Sequence, residues 1–250
     1  MGDYICCVDG DDWVDRDYIS KFADAVHSYN PDIVASGYKL AFKDRCEERV
    51  LPNRSGVYNR HEMETEIFPN LIQNKNAGYF SPSVWGKAFR RELYVPIQCA
   101  VDSRIKIGED GACTIPCVYN AESMVVLTNC SYYYRQNEKS MTKAGKAFDW
   151  RGPELIHCFL EQQINMALFD FKEQLFRKTA HEVFTVVLSQ FNRKESYRKI
   201  KADIKQHLMS EVYCESIKKA EFRSFRGRLV VFAMKHKLMW LLYLLYLIKR

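Results

Sequence analysis

The stretch YICCVDGDDWVD, Tyr4 to Asp15, decides how the rest of the chain is read. Tyr4 to Val8 are β-branched, aromatic or Cys with no polar alternation, the pattern of a central strand buried on both faces of a sheet. Three carboxylates, Asp9, Asp11 and Asp12, follow at the strand's carboxyl end. In open α/β sheets ligands bind at that edge, and acids two residues apart share a face while the backbone stays extended. Three carboxylates within four residues repel one another unless a cation neutralises them. The alternative is an acidic turn whose side chains only cap the next helix. An EF-hand is excluded: Trp13 and Val14 stand at loop positions five and six, and no Glu closes the loop.

Working outward, Asp15 or Asp17 is placed to cap a helix with apolar positions Tyr18, Ile19, Phe22, Ala25 and Val26, which Asn30-Pro31 stops. DIVASGYKLAF, Asp32 to Phe42, reads as the next strand, so a strand-helix-strand unit with a right-handed crossover in a mostly parallel sheet is expected. His61 to Ile72 reads as helical. A Gly- and Ser-punctuated segment leads into Val84 to Phe89, and an alternating strand with a polar loop follows in SMVVLTNCSYYYRQNEKSMT. No strand pattern recurs after about Lys146, and 151–222 reads as successive amphipathic helices. The expected fold class is α/β with a C-terminal helical region, divided into 1–145 and 146–250.

With 250 residues, 47% hydrophobic and 14% aromatic, the chain can bury a full core and is not disordered. The nine cysteines are odd in number, no signal-peptide pattern opens the chain, and Cys6, Cys7, Cys99, Cys113, Cys117 and Cys130 lie in or beside apolar runs. They read as small buried hydrophobes in a reducing cytosol, and Cys113 and Cys117 lack zinc-like spacing. The net charge of +6 is uneven: from Ser216 onward nine Lys and Arg face Glu221 alone, a net of +8, which leaves −2 for the rest. A body that is not basic excludes nucleic acid as its partner.

The second acidic element is GED, Gly108 to Asp110, about 100 residues downstream. Alone, Glu109 and Asp110 complement the macrodipole of a helix running into Ile115. Beside the Asp9–Asp12 cluster they offer a division of labour, one site for a metal and one for general-base work at a hydroxyl. Hard oxygen ligands suit Mg²⁺ or Mn²⁺, and Mg²⁺ takes one or two carboxylates plus substrate phosphates, so a diphosphate-bearing substrate is expected.

The ordered set YICCVDGDDWVDRDYISKF, DIVASGYKL, SVWGKAFRREL and IGEDGACTIPCVYNAESMVVLTNCSYYYRQNEKSMT, over about residues 2–142, resembles the family 2 glycosyltransferases of the GT-A fold. The resemblance implies transfer of a sugar from a nucleotide-sugar donor to a glycan or lipid-linked acceptor. It matches Asp9 and Asp11 to the D-x-D acids that hold the divalent cation on the diphosphate, and Asp12 and Trp13 to the extension of that motif. It matches Asp110, with Glu109 beside it, to the catalytic base. Lys87 falls on a family lysine, which implies a place among the donor-binding residues; the alternative is a solvated surface cation. Arg135, Ser140 and Thr142 fall on the loop that closes over the donor. Family members begin with further strands upstream of the D-x-D strand, so the resemblance implies a partial GT-A sheet that lacks the N-terminal part of the nucleotide-binding domain.

Two other classes stay open on residues alone. A haloacid-dehalogenase-like phosphatase also places D-x-D after a buried strand, but prefers a small residue where Trp13 stands. A non-catalytic, membrane-associated remnant is the other. The closing run Leu238 to Ile248 is about half of the ~20 residues a spanning helix needs. With Trp240, Tyr243, Tyr246 and flanking Lys235, Lys237, Lys249 and Arg250 it suits an anionic membrane interface, which predicts a cytoplasmic protein peripheral at the inner face of the cell membrane.

Overall fold

Strands alternate with helices up to residue 135, and the described residues after it form helices without strands, in the computed structural model, which describes residues 2–136 and 146–249. In chain order the elements are β1 (Tyr4–Cys6), β2 (Trp13–Val14), α1 (Tyr18–Tyr29), β3 (Ile33–Ala35), β4 (Tyr38–Ala41), β5 (Cys46–Arg49), β6 (Gly56–Asn59), α2 (Arg60–Glu62), β7 (Lys87–Arg90), α3 (Arg91–Ala100), α4 (Glu109–Asn120), β8 (Ser123–Val126) and β9 (Tyr132–Arg135). A π turn, Met63–Ile67, and a 3₁₀ turn, Phe68–Asn70, continue α2. The helices α5 (Arg151–Gln163), α6 (Phe171–Gln190), α7 (Tyr197–His207), α8 (Glu211–Lys219), α9 (Phe225–Lys235) and α10 (Met239–Lys249) follow. The fold is mixed α/β with a helical C-terminal region. Contacts gather it into two compact units, the second of which takes Ile72–Phe80 and Asp102–Gly108 together with the helices from α5 onward.

In the first unit a five-stranded sheet has the order β1-β7-β3-β8-β6, and a second sheet the order β2-β9-β4-β5. The core strand is β3, whose Ile33, Val34 and Ala35 are fully buried. Tyr18, Phe22 and Ala25 of α1 pack there with Val34, Ala88, Val125 and Tyr132. Asn30 closes α1 in the left-handed region at φ 45°, and its N–H reaches the Val26 carbonyl, which satisfies the helix end just before Pro31. At the other end Asp17 makes no side-chain cap. It pairs with Lys21 at 2.8 Å instead.

The structure corrects four expectations. First, β1 is half-buried and stands at the edge of its sheet, with β7 as its one ladder neighbour among the described residues. Its apolar run has a different cause: Tyr4 and Cys6 pack on the α1 core, while on the other face the Cys7 thiol meets Tyr94 Oη of α3 at 3.5 Å. Coverage of two faces fixes hydrophobicity, whereas ladder position does not. Second, the sheet is mixed, with β7 antiparallel to both β1 and β3, and β3–β8 its one parallel pairing. Third, Asp32 to Phe42 is two strands in two sheets, turned at Ser36-Gly37. A Cβ on Gly37 would stand 2.5 Å from Cys130 Sγ and 2.7 Å from the Arg49 carbonyl, so a glycine belongs at that corner. Fourth, Cys99 lies on the outer face of α3 and is exposed, unlike Cys113, Cys117 and Cys130. All nine cysteines are free thiols.

The second unit is organised by α6, which is buried on nearly every side. Its polar residues hold the 72–80 segment: Gln174 Oε1 accepts from the N–H groups of Ile72 and Gln73, and the buried Arg177 donates from Nε to the Gln73 carbonyl at 2.7 Å and pairs with Asp170. Val183, Val187, Ile204, Ala233 and Leu242 are among the residues of its apolar core. Among the described residues no helix is long and apolar enough to cross a membrane.

Candidate functional site at the acidic turn

Beyond β1 the backbone leaves the extended conformation, and Asp9 to Asp12 form a tight turn in which the Asp12 N–H donates to the Asp9 carbonyl at 3.1 Å. Asp9 and Asp11 therefore project from a turn, both exposed, and not from successive positions of one strand face. The turn is held from β9. Asp12 accepts from Tyr132 Oη at 2.7 Å with one carboxylate oxygen and from the Arg135 N–H at 2.8 Å with the other. The same Tyr132 oxygen accepts from the Asp9 N–H at 3.2 Å, and Arg135 Nε donates to the Asp11 carbonyl at 2.6 Å. Trp13 stacks on Tyr133 with centroids 5.2 Å apart, and the Arg135 guanidinium lies 5.1 Å from the Trp13 ring. Asp12 is thus committed to holding the turn, whereas Asp9 and Asp11 are presented outward.

The second acidic element joins the first through one short loop. Cys7 forms a backbone bridge with Trp85, and Trp85 stacks on Tyr132 at 4.7 Å and on Tyr134 at 5.3 Å. The preceding residue, Val84, donates its N–H to Asp110 Oδ2 at 3.3 Å. Asp110 is half-buried in the first turn of α4, with Glu109 exposed beside it. Burial pushes the Asp110 carboxyl up to about 6, with Glu109 and Asp9 adding to the rise and the Val84 N–H and Lys87 opposing it. Asp9 is also raised, by burial first and then by the charges of Asp12, Asp11 and Glu109. Acids a hundred residues apart in sequence therefore feel one another's charge.

Lys87 is not a solvated surface cation. It is 1% exposed, and its Nζ donates to the Ser83 carbonyl at 2.7 Å, with Ser83 Oγ at 3.3 Å and Ser81 Oγ at 3.4 Å. Burial lowers it to about 7 while Asp110 opposes that shift. Ser140 and Thr142 lie outside the described residues.

The donor set fits a divalent cation of the Mg²⁺ or Mn²⁺ type. Asp9 and Asp11 offer hard oxygens from one turn, and a cation would relieve the mutual repulsion that adds to the effect of burial in raising Asp9. No group of three or more His, Cys, Asp or Glu side chains is arranged to hold a metal among the described residues, so a cation at Asp9 and Asp11 would need further ligands from a bound molecule or from water. The sequence reading missed Tyr132, Trp85 and the Ser83-Val84 peptide. The triple tyrosine of YYYR was the available signal, since a buried phenol needs a polar partner.

No family model matches the chain. Among curated proteins it is 24% identical over 143 residues to the glycosyltransferase GlyA of Streptococcus pneumoniae serotype 4, a match covering 57% of this chain and 20% of GlyA. It is 29% identical over 145 residues to the uncharacterized glycosyltransferase EpsJ of Bacillus subtilis, covering 57% of this chain and 40% of EpsJ. The matches thus take in less than half the length of either relative. Among solved structures, S. aureus TarS 1-349 in complex with UDP-GlcNAc superposes with a TM-score of 0.58 at 13% identity, over 97% of this chain and 66% of TarS. The complex of the same protein with UDP gives a TM-score of 0.54 at 13% identity, over 96% and 64%. The shared feature is the mixed α/β fold with its helical C-terminal region.

Proposed function

We propose that the chain is a family 2 glycosyltransferase of the GT-A fold that moves a sugar from a nucleotide-diphosphate donor to a hydroxyl of a glycan or lipid-linked acceptor. The observation that carries this reading is the loop at Val84-Trp85, which ties the acidic turn through Cys7 and Asp110 through its own N–H. The two curated relatives, both named glycosyltransferases, support the reaction class, and the likeness to nucleotide-bound TarS supports the donor class. Asp9 and Asp11 would hold Mg²⁺ or Mn²⁺, which supplies charge neutralisation of the diphosphate as it departs. Asp12, Trp13 and Arg135 shape the donor side, and the Arg135 guanidinium offsets negative charge on the leaving group. Asp110, with Glu109 beside it, takes the proton of the acceptor hydroxyl as that oxygen bonds to the anomeric carbon. The bond from that carbon to the diphosphate oxygen breaks, and the nucleoside diphosphate leaves with the electron pair.

The test is calorimetric titration with a panel of UDP- and GDP-sugars, UDP-GlcNAc among them, with and without Mn²⁺. Donor binding is expected to depend on the metal, to be lost in Asp9→Asn and Asp11→Asn, and to persist in Asp110→Asn. Binding that ignores both the metal and the two Asp substitutions would end the D-x-D assignment.

The same reading places the protein at an anionic membrane surface, peripheral at the cytoplasmic face. The support is the surface of α9 and α10, where Phe225, Phe232, Trp240, Leu244, Leu247 and Ile248 are exposed among basic residues. A lipid-linked acceptor would be met there.

A further inference from the structure

Lys87 is a buried ionisable group to which the transfer chemistry above gives no task. Removing an ammonium from water costs several kcal/mol, and a well-packed apolar side chain of similar volume would fill the same space without that cost. Its position therefore asks for an explanation in terms of charge. The carbonyl it bonds, Ser83, is one end of a peptide group whose other end is the Val84 N–H, and that N–H points at Asp110 Oδ2. In a trans peptide the C=O and N–H point in opposite directions. The arrangement runs from ammonium to carbonyl, across one peptide group, to N–H and carboxylate, with a cation at one end and an anion at the other. Thr114 Oγ1 of α4 donates to the same carbonyl at 3.3 Å, so the peptide is pinned from two elements. Hydrogen bonds in such a chain polarise one another and strengthen together.

We propose that Lys87 is a positioning residue for Asp110: its ammonium fixes and polarises the Ser83-Val84 peptide so that the N–H holds the carboxylate in place, and its charge offsets the negative field of Glu109 and Asp9. This rests on the reading of Asp110 as the base. The titratable groups whose charge acts on the Asp110 carboxyl or feels it are Glu109 on its own helix, Asp9 from the acidic turn, Lys87 from β7 and the Cys7 thiol after β1. Of these, Lys87 alone is cationic, and it acts both through space and through the peptide.

The test is nuclear magnetic resonance on the whole chain, with ¹³C-labelled Asp side chains and the Asp110 signal assigned with Asp110→Asn. The wild-type carboxyl is expected to titrate near 6. In Lys87→Met the midpoint should move up by about half a unit to one unit, because a cation is lost and the N–H is no longer held. Lys87→Arg, which keeps the cation, should restore it. A Lys87→Met midpoint unchanged from wild type overturns the proposal. If Lys87→Met does not fold, its Asp110 signal falls to the ordinary carboxyl range, and the wild type alone decides. The Val84 amide proton should then report two steps, one with Asp110 and one near 7 with Lys87. A Val84 signal blind to the second step sinks the relay. Failure of the base reading shows elsewhere: Asp110→Asn that transfers sugar as fast as wild type removes Asp110 from catalysis, yet leaves the coupling measured here intact.

Discussion

An acid that titrates near 6 is still ionised at neutral pH but close enough to its midpoint to accept a proton usefully, which is where general-base catalysis works best. kcat/KM for sugar transfer should therefore rise with pH through about 6 and level off above it. Asp110→Asn should cost about 10²- to 10⁴-fold in that parameter without weakening donor binding. The same shift makes a stability prediction. The folded carboxyl sits above its ordinary 3.8, so folding favours its neutral form, and the stability this contributes is present below about 3.8 and lost as pH rises to about 6. Asp110→Asn, neutral at every pH, should match wild type in Tm at pH 4 and exceed it at pH 8. A gap that opens at low pH instead would mean that the carboxylate, and not the acid, is the favoured form. The carboxylates were legible in sequence as candidates, because three acids crowd behind an apolar strand and a second acidic pair stands at a helix start, although each group alone also suits helix capping. Tyr132, Trp85 and Lys87 were not, because their roles depend on which backbone groups a fold brings beneath them. SVWGK gives no sign that its lysine is 1% exposed and points back at Ser83.

The elements show a similar division between what a short window records and what depends on distant partners. Helix periodicity, the Asn30 stop and the helical character after residue 146 are local properties, and they were readable as such. Strand order and direction depend on pairings as distant as Trp13 with Tyr133, and here local reading misled. DIVASGYKLAF is apolar from end to end, yet its two halves serve different sheets. The corner between them makes a sharp prediction. In Gly37→Ala the added carbon collides with the Arg49 carbonyl at 2.7 Å and with Cys130 Sγ at 2.5 Å, and a carbonyl fixed in the β4–β5 pairing cannot step aside. A loss of about 1–3 kcal/mol in urea unfolding is expected. Adding Cys130→Ala should recover only part of it, since the carbonyl contact remains. Full recovery in the double variant would show that the sulfur alone sets the constraint.

At the scale of the whole molecule the proposed location rests on the distribution of charge and of exposed apolar surface. The −2 body and the +8 segment from Ser216 onward were visible in composition, but which side chains face outward was not. On α10, Met239, Leu241 and Leu242 are buried in the helical core, whereas Trp240, Tyr243, Leu244, Leu247 and Ile248 are exposed at spacings of three and four, one continuous stripe. On α9, Phe225 and Phe232 are exposed with Arg228 and Lys235 on the same side of the helix. A helix of 11 residues is about 16 Å long, half the thickness of a bilayer core, so such a stripe suits lying in the interface and not crossing it. Apolar insertion and the attraction of each basic residue to anionic headgroups, about 1 kcal/mol near the surface, then act together. The chain is expected to co-sediment with vesicles rich in anionic lipid, weakly with neutral ones, and less well as salt rises. Trp240→Ser with Leu244→Ser and Leu247→Ser should cut partitioning at least tenfold while leaving the buried face of α10 and the helical circular dichroism unchanged, because burying even one large apolar side chain is worth about 1.5–3 kcal/mol. Equal binding to neutral and anionic vesicles, or a triple variant that binds as well as wild type, removes the bilayer as the occupant of this face. A dimer that forms with rising concentration and is lost in the triple variant would assign the stripe to a second copy of the chain instead.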